Sequence, residues 1–80
     1  RGFVKTAESV CLEIFRDIQR RALDLHEKEC MIMASQSVVD RLLDEDAESL
    51  WELSQALEAE FRLNVEATYT QEQYDVVLVG

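Results

Sequence analysis

Cys30-Met31-Ile32-Met33-Ala34 is the stretch on which the fold turns. The run is apolar throughout and is bounded by polar residues. It is too short for a helix of ordinary length, so it predicts a buried strand. On its upstream side Val10, Cys11, Ile14, Phe15, Ile18, Ala22 and Leu25 recur at helical spacing. Glu13, Arg16, Asp17, Arg20, Arg21 and Asp24 take the opposite face. The pattern predicts one helix over 6–25, with Thr6 as its N-cap and Glu8 in the first turn, where a carboxylate meets the positive end of the helix dipole. Asp17 is spaced to pair with Arg21, and Arg20 with Asp24.

On the downstream side Ser37 reads as the cap of a second helix that turns Val38, Val39, Leu42 and Leu43 inward. The acidic stretch Asp44-Glu45-Asp46 interrupts it. Asp46 or Ser49 then caps a further helix in which Leu50, Leu53 and Leu57 share a face. Residues 37–58 are therefore expected as two short helices in series or one bent helix. Phe61, Leu63, Val65 and Ala67 alternate with Arg62, Asn64 and Glu66, the period of a half-buried strand. Residues 68–73 are a polar connection, and 74–79 are rich in β-formers and predict a last strand. The short connection predicts that the last two strands are antiparallel neighbours. The first two, if adjacent, should be parallel with a right-handed crossover. The expected fold is α/β (α+β) in the order α-β-α(α)-β-β, a three-stranded sheet with helices packed on one face.

The bulk properties set limits on function. The chain has 80 residues, one small domain over 1–80 at most. A domain of that size buries only about 60–65% of the surface its unfolded chain exposes, enough for one thin core but not a deep catalytic cleft. Hydrophobic residues make up 48% and charged residues 31%, a globular rather than a disordered profile. No apolar run approaches the roughly 20 residues of a membrane span. Residues 1–5 read as a leading segment, not a signal peptide, since no apolar region follows them. The missing initiating Met fits a fragment. The formal net charge of -9 argues against the domain gripping a nucleic-acid backbone by itself, because that grip depends on Lys and Arg neutralising phosphates.

Residue by residue, little chemistry emerges. His26, the only histidine, reads as a helix-end residue, and the sequence places no nucleophile beside it. Cys11 and Cys30 lack the close Cys-x-x-Cys step of a zinc site. Both lie in apolar patterns and predict buried reduced thiols, with a disulfide as the alternative. Asp44, Glu45, Asp46 and Glu48 lack the Gly and the alternating ligand spacing of a calcium loop and read as a solvated linker, with a weak divalent-cation site as the alternative. Arg16, Arg20 and Arg21 form the one basic cluster. They are weak RNA-contact candidates, and pairing with neighbouring acids is the blander account. Trp51 and Tyr69 are candidate protein contacts; Trp51 stands about 100° off the Leu50, Leu53, Leu57 line. The residues alone thus predict a structural or interaction domain with no catalytic, cofactor-binding or metal-binding residue.

Two stretches carry a resemblance. The tail, Tyr69-Thr70-Gln71-Glu72-Gln73-Tyr74-Asp75-Val76-Val77-Leu78-Val79, resembles the C-terminal end of the bacterial ribonuclease E/G family. The head, RGFVKTAESVCLEIFRDI over 1–18, is similar to the segment that follows that family's zinc-link motif. The middle, MASQSVVDRLLDEDAESLWEL over 33–53, follows the family's strand-then-helices pattern. Gln36-Ser37 stand where relatives often have Pro, and Ala59-Glu60 where many have Gly. The resemblance implies a C-terminal fragment of a larger, Mg-dependent, cytoplasmic endoribonuclease that prefers single strands and serves RNA processing and turnover. Its catalytic aspartates, its RNA-binding part, its pocket for a 5′-monophosphate and its zinc-link cysteines would all lie upstream of Arg1. Magnesium and zinc would therefore be bound outside this fragment, and Cys11 and Cys30 would not be ligands. The implied role is a non-catalytic small domain serving oligomer assembly, with other protomers or domains of the parent as partners and RNA reached through the parent. The alternative is a stand-alone protein-interaction module without nuclease parentage.

Overall fold

A computed structural model describes residues 5–79; of the leading segment expected over 1–5, all but Lys5 lies outside the described residues. The elements are α1 (Ala7–Arg20), α2 (Ala22–Leu25), β1 (Glu29–Ala34), α3 (Gln36–Leu43), α4 (Ala47–Leu57), β2 (Glu60–Val65) and β3 (Tyr74–Leu78).

The predicted strand β1 is the middle of a three-stranded sheet ordered β2-β1-β3. Along it Cys30, Ile32 and Ala34 are fully buried, while Met31 and Met33, on the other face, are half-buried. β2 runs parallel to β1, with Ile32 opposite Leu63, as expected of two strands joined through helices. β3 runs antiparallel to β1, with Ile32 opposite Val76. The expectation that β2 and β3 are neighbours is therefore corrected: β3 crosses to the far edge of β1. The cause is polarity. β1 is apolar on both faces and gains most from neighbours on both sides, whereas Arg62, Asn64 and Asp75 suit edge strands. The connection is long enough to pass the end of β1, and it is pinned there by the Glu66 amide donating to the Ala34 carbonyl at 2.8 Å.

Thr6 caps α1 as expected, its hydroxyl accepting from the Ser9 amide at 3.1 Å. Val10, Cys11, Ile14 and Ile18 form the buried stripe of the helix. The single helix expected over 6–25 is broken at Arg21, where φ is -103° and ψ 20°. The break turns the Arg21 guanidinium onto β3, where Nη1 donates to the Val76 carbonyl at 2.9 Å, and leaves Leu25 fully buried. The expected Asp17–Arg21 and Arg20–Asp24 pairs are replaced accordingly: Arg20 pairs with Asp17 at 3.6 Å.

The two short helices expected over 37–58 are present as α3 and α4. α3 begins two residues earlier than a cap at Ser37 predicts, with Ser35 at the N-cap position and no side-chain cap. Ser37 instead donates to Gln71 Oε1 at 2.8 Å, tying α3 to the connection before β3. The start at Gln36 buries Val38, Val39 and Leu42 but turns Leu43, expected inward, out to solvent. Asp46 precedes α4. The acidic interruption is gathered by Arg41, whose guanidinium meets Asp46 at 3.0 Å, Glu45 at 3.2 Å and Glu8 at 4.0 Å. The linker is thus anchored to α3 and α1 rather than merely solvated.

The core lies between the sheet and α1, α2 and α3: Val10, Ile14, Ile18, Leu25, Ile32 and Leu42 are all fully buried in one cluster. Each such side chain contributes about 1.5–3 kcal/mol through its removal from water. Leu50, Leu53 and Leu57 of α4 pack against the rim of this cluster, on the shared face their spacing predicts. β2 ends at Val65, so Ala67, expected within the strand, falls in the following turn.

Candidate interaction surfaces

Strand alternation divides the sheet residues into two sets. Cys30, Ile32 and Ala34 face the helices. On the reverse face Met31 stands between Arg62 and Val77, and Met33 between Asn64 and Asp75. Val77 is 38% exposed. Arg62 forms an ion pair with Glu29 across β1 and β2. The reverse face is therefore a short apolar strip of Met31, Met33 and Val77 framed by charged and amide side chains. Unbranched methionines adapt their shape, and such side chains suit a contact surface.

A second surface lies around Trp51. Leu42 and Leu43 of α3, Leu50 and Trp51 of α4 and Phe61 of β2 line an open groove of about 410 Å³. Leu43 is 63% and Trp51 62% exposed. The groove exists because α3 ends at Leu43 and α4 returns beside it, leaving Leu43 and Trp51 on the same outer side. Trp51 was singled out by sequence. Leu43 was not, because helical periodicity alone placed it inside.

The remaining candidates are dispersed or engaged. Tyr69 is half-buried, and its hydroxyl donates to Asp75 Oδ2 at 2.5 Å. That hydrogen bond is the main reason the phenol is held above its usual pKa. Arg16 and Arg20 are exposed while Arg21 is committed to Val76, so the basic cluster does not converge on one patch.

His26, Glu27 and Glu58 do converge: each offers one ligand atom, all within 4.8 Å of one another, and His26 Nε2 lies 3.4 Å from Glu58 Oε1. Glu27 and Glu58 both sit at positive φ, 60° and 52°. No sequence signal joined these residues, since α4 brings Glu58 back to His26 only in the fold. All three are exposed, where carboxylates commonly gather without an ion.

Cys11 and Cys30 are free thiols, both buried, as predicted. Burial, followed by the nearby Asp46 carboxylate, pushes Cys11 up to about 12. Burial also raises Cys30. Neither belongs to the His26 group.

Fold and surface together define a small mixed α/β domain with apolar side chains exposed on two faces. Along nearly its whole length the chain is similar to ribonuclease G. It is 37% identical to ribonuclease G of Escherichia coli strain K12 over 79 residues, which is 99% of this chain and 16% of that protein. Ribonuclease G of Salmonella typhimurium is likewise 37% identical, and that of Haemophilus influenzae 35% over 80 residues. No family model matches the chain. The chain corresponds to a small piece of ribonuclease G-like proteins, spanning 16% of the length of the relatives it matches. Among the described residues no helix is long and apolar enough to cross a membrane.

Proposed function

We propose that this chain is the non-catalytic small domain of a longer, cytoplasmic endoribonuclease of RNA processing and turnover, and that it serves the assembly of that protein. The observation that carries the reading is the correspondence of nearly the whole chain to one small part of ribonuclease G. The reverse sheet face supports it, because Met31, Met33 and Val77 form an apolar strip of the kind a further domain or protomer covers. The net charge of -9 supports it too, since an acidic domain contributes contact or spacing more readily than phosphate binding. On this reading magnesium and zinc act in the rest of the parent, and RNA is reached through that part.

Two measurements test the proposal. The purified 80-residue chain should leave a 5′-monophosphorylated single-stranded RNA intact, and cleavage by the fragment would overturn the non-catalytic role. In the parent protein, Met31→Lys with Met33→Lys should lower the oligomeric state seen by analytical ultracentrifugation. Unchanged assembly would remove the assembly role.

A further inference from the structure

The Trp51 groove combines an apolar lining with a one-sided electrostatic surround. Leu42, Leu50 and Phe61 belong to its floor, and the exposed Leu43 and Trp51 to its rim. No Lys or Arg lines it; the single charged lining residue is Glu60. Asp44 and Glu45 follow Leu43 directly, and Glu48 and Glu52 follow the lining residues Ala47 and Trp51. On a helix one residue is about 100° of rotation, so Glu48 borders the lined face of α4 beside Gln55, while Glu52 turns to the depression lined by Phe15, Ser49 and Leu53. Of the cations beside the lining residues, Arg41 is held by Glu8, Glu45 and Asp46, Arg62 pairs with Glu29 on the reverse sheet face, and Lys28 lies in the adjoining depression beyond Ala59 and Glu60, outside the groove lining. A partner that enters therefore meets apolar surface inside an acidic field with no free counter-charge on the groove wall.

We propose that this groove seats an amphipathic helix of another polypeptide, with Lys or Arg flanking its apolar stripe. A helix satisfies its own backbone hydrogen bonds and offers an apolar stripe at i, i+3, i+4 and i+7, which suits an open groove walled by side chains. Basic flanks complement Asp44, Glu45, Glu48 and Glu60, and an acidic partner is repelled. The same charge argues against a second copy of this chain as the occupant, since each copy carries -9 and brings its own acidic rim. The proposal is independent of the assembly role, whose structural support is the reverse sheet face.

Trp51 is the only tryptophan in the chain, so its emission reports occupancy of the groove. Three synthetic helical peptides serve as probes: one with a Leu stripe and Lys flanks, one with Glu in place of Lys, and one with Ser in place of Leu. Titrated into the 80-residue chain, the Leu/Lys peptide should bind saturably, shift Trp51 emission to the blue and weaken as salt is raised. The Leu/Glu and Ser/Lys peptides should do neither. Leu43→Ser should weaken the Leu/Lys peptide about fivefold or more, the scale of a rim contact worth measuring. Glu48→Lys should weaken it through charge. Both side chains are exposed, so the variants keep the fold. Equal binding of the Leu/Glu or the Ser/Lys peptide, no binding at all, or full affinity in Leu43→Ser would overturn the proposal. A blue shift produced simply by concentrating the chain would overturn it in favour of self-association.

Discussion

At the scale of single residues, burial decides most outcomes. Ile32 stands at the centre of the sheet with Leu63 and Val76 on either side and is fully buried. Ile32→Ala should lower stability by about 2–5 kcal/mol in urea unfolding, through lost transfer energy and the cavity left behind. Cys11 gives a pH signature. Its ordinary value is 9.0 and the folded chain raises it to about 12. Above pH 9 the unfolded thiol releases its proton while the folded one keeps it, so stability is intact below pH 9 and falls as pH rises towards 12. The slope from this group is at most about 1.4 kcal/mol per pH unit. Cys11→Ala should flatten that decline in unfolding curves taken at pH 8 and pH 10; an unchanged decline would remove Cys11 as its cause. The burial of both thiols was legible in the sequence, since each sits in an apolar pattern. The role of Arg21 was not. Spacing along a helix suggested Asp17 as its partner, and nothing local shows that the helix breaks and hands the guanidinium to a distant carbonyl.

At the scale of elements, periodicity found the helical and strand stretches but not the break that makes α2 a helix of its own, and their ends and neighbours followed from tertiary contacts. α1 was legible to its Thr6 cap because the cap is a local hydrogen bond. The sheet order was not legible: the short link between β2 and β3 pointed to a hairpin, and only the two-sided apolar character of β1 explains why it separates them. Helix ends show a similar limit. α4 closes on Glu58 in the left-handed region, φ 52° and ψ 36°, which disfavours any residue with a Cβ. Glu58→Gly should raise stability by about 0.5–1 kcal/mol, the relief of that backbone outweighing the loss of an exposed pair with His26. A lower unfolding midpoint would show that Glu58 contributes more through its side chain than its backbone loses.

At the scale of the whole molecule, charge argues against a grip on RNA by this chain alone. Eight basic residues face seventeen acidic ones, and the three arginines once grouped together by sequence are split between solvent and a β3 carbonyl. Replacing Arg16, Arg20 and Arg21 with Ala should leave RNA affinity of the isolated chain unchanged in a filter-binding assay at low salt. A clear, salt-dependent loss would instead assign them phosphate contacts. Which faces are apolar was partly legible: Met31 and Met33 alternate with the core positions of β1, but the exposure of Leu43 beside Trp51 required the turn between α3 and α4 to be seen.

The strand order β2-β1-β3 also imposes a timetable. As the chain leaves the ribosome, β1, α3, α4 and β2 emerge in succession and can join at once, since β2 occupies one side of β1. The opposite side of β1 stays open until Tyr74–Leu78 follows. During that interval the nascent domain displays an apolar strand with unmet backbone donors and acceptors, the form most prone to wrong pairing. Synthesis that stalls between Val65 and Tyr74 would therefore leave a helical half-product with a sticky margin, and β3 acts as the closing seam that removes it.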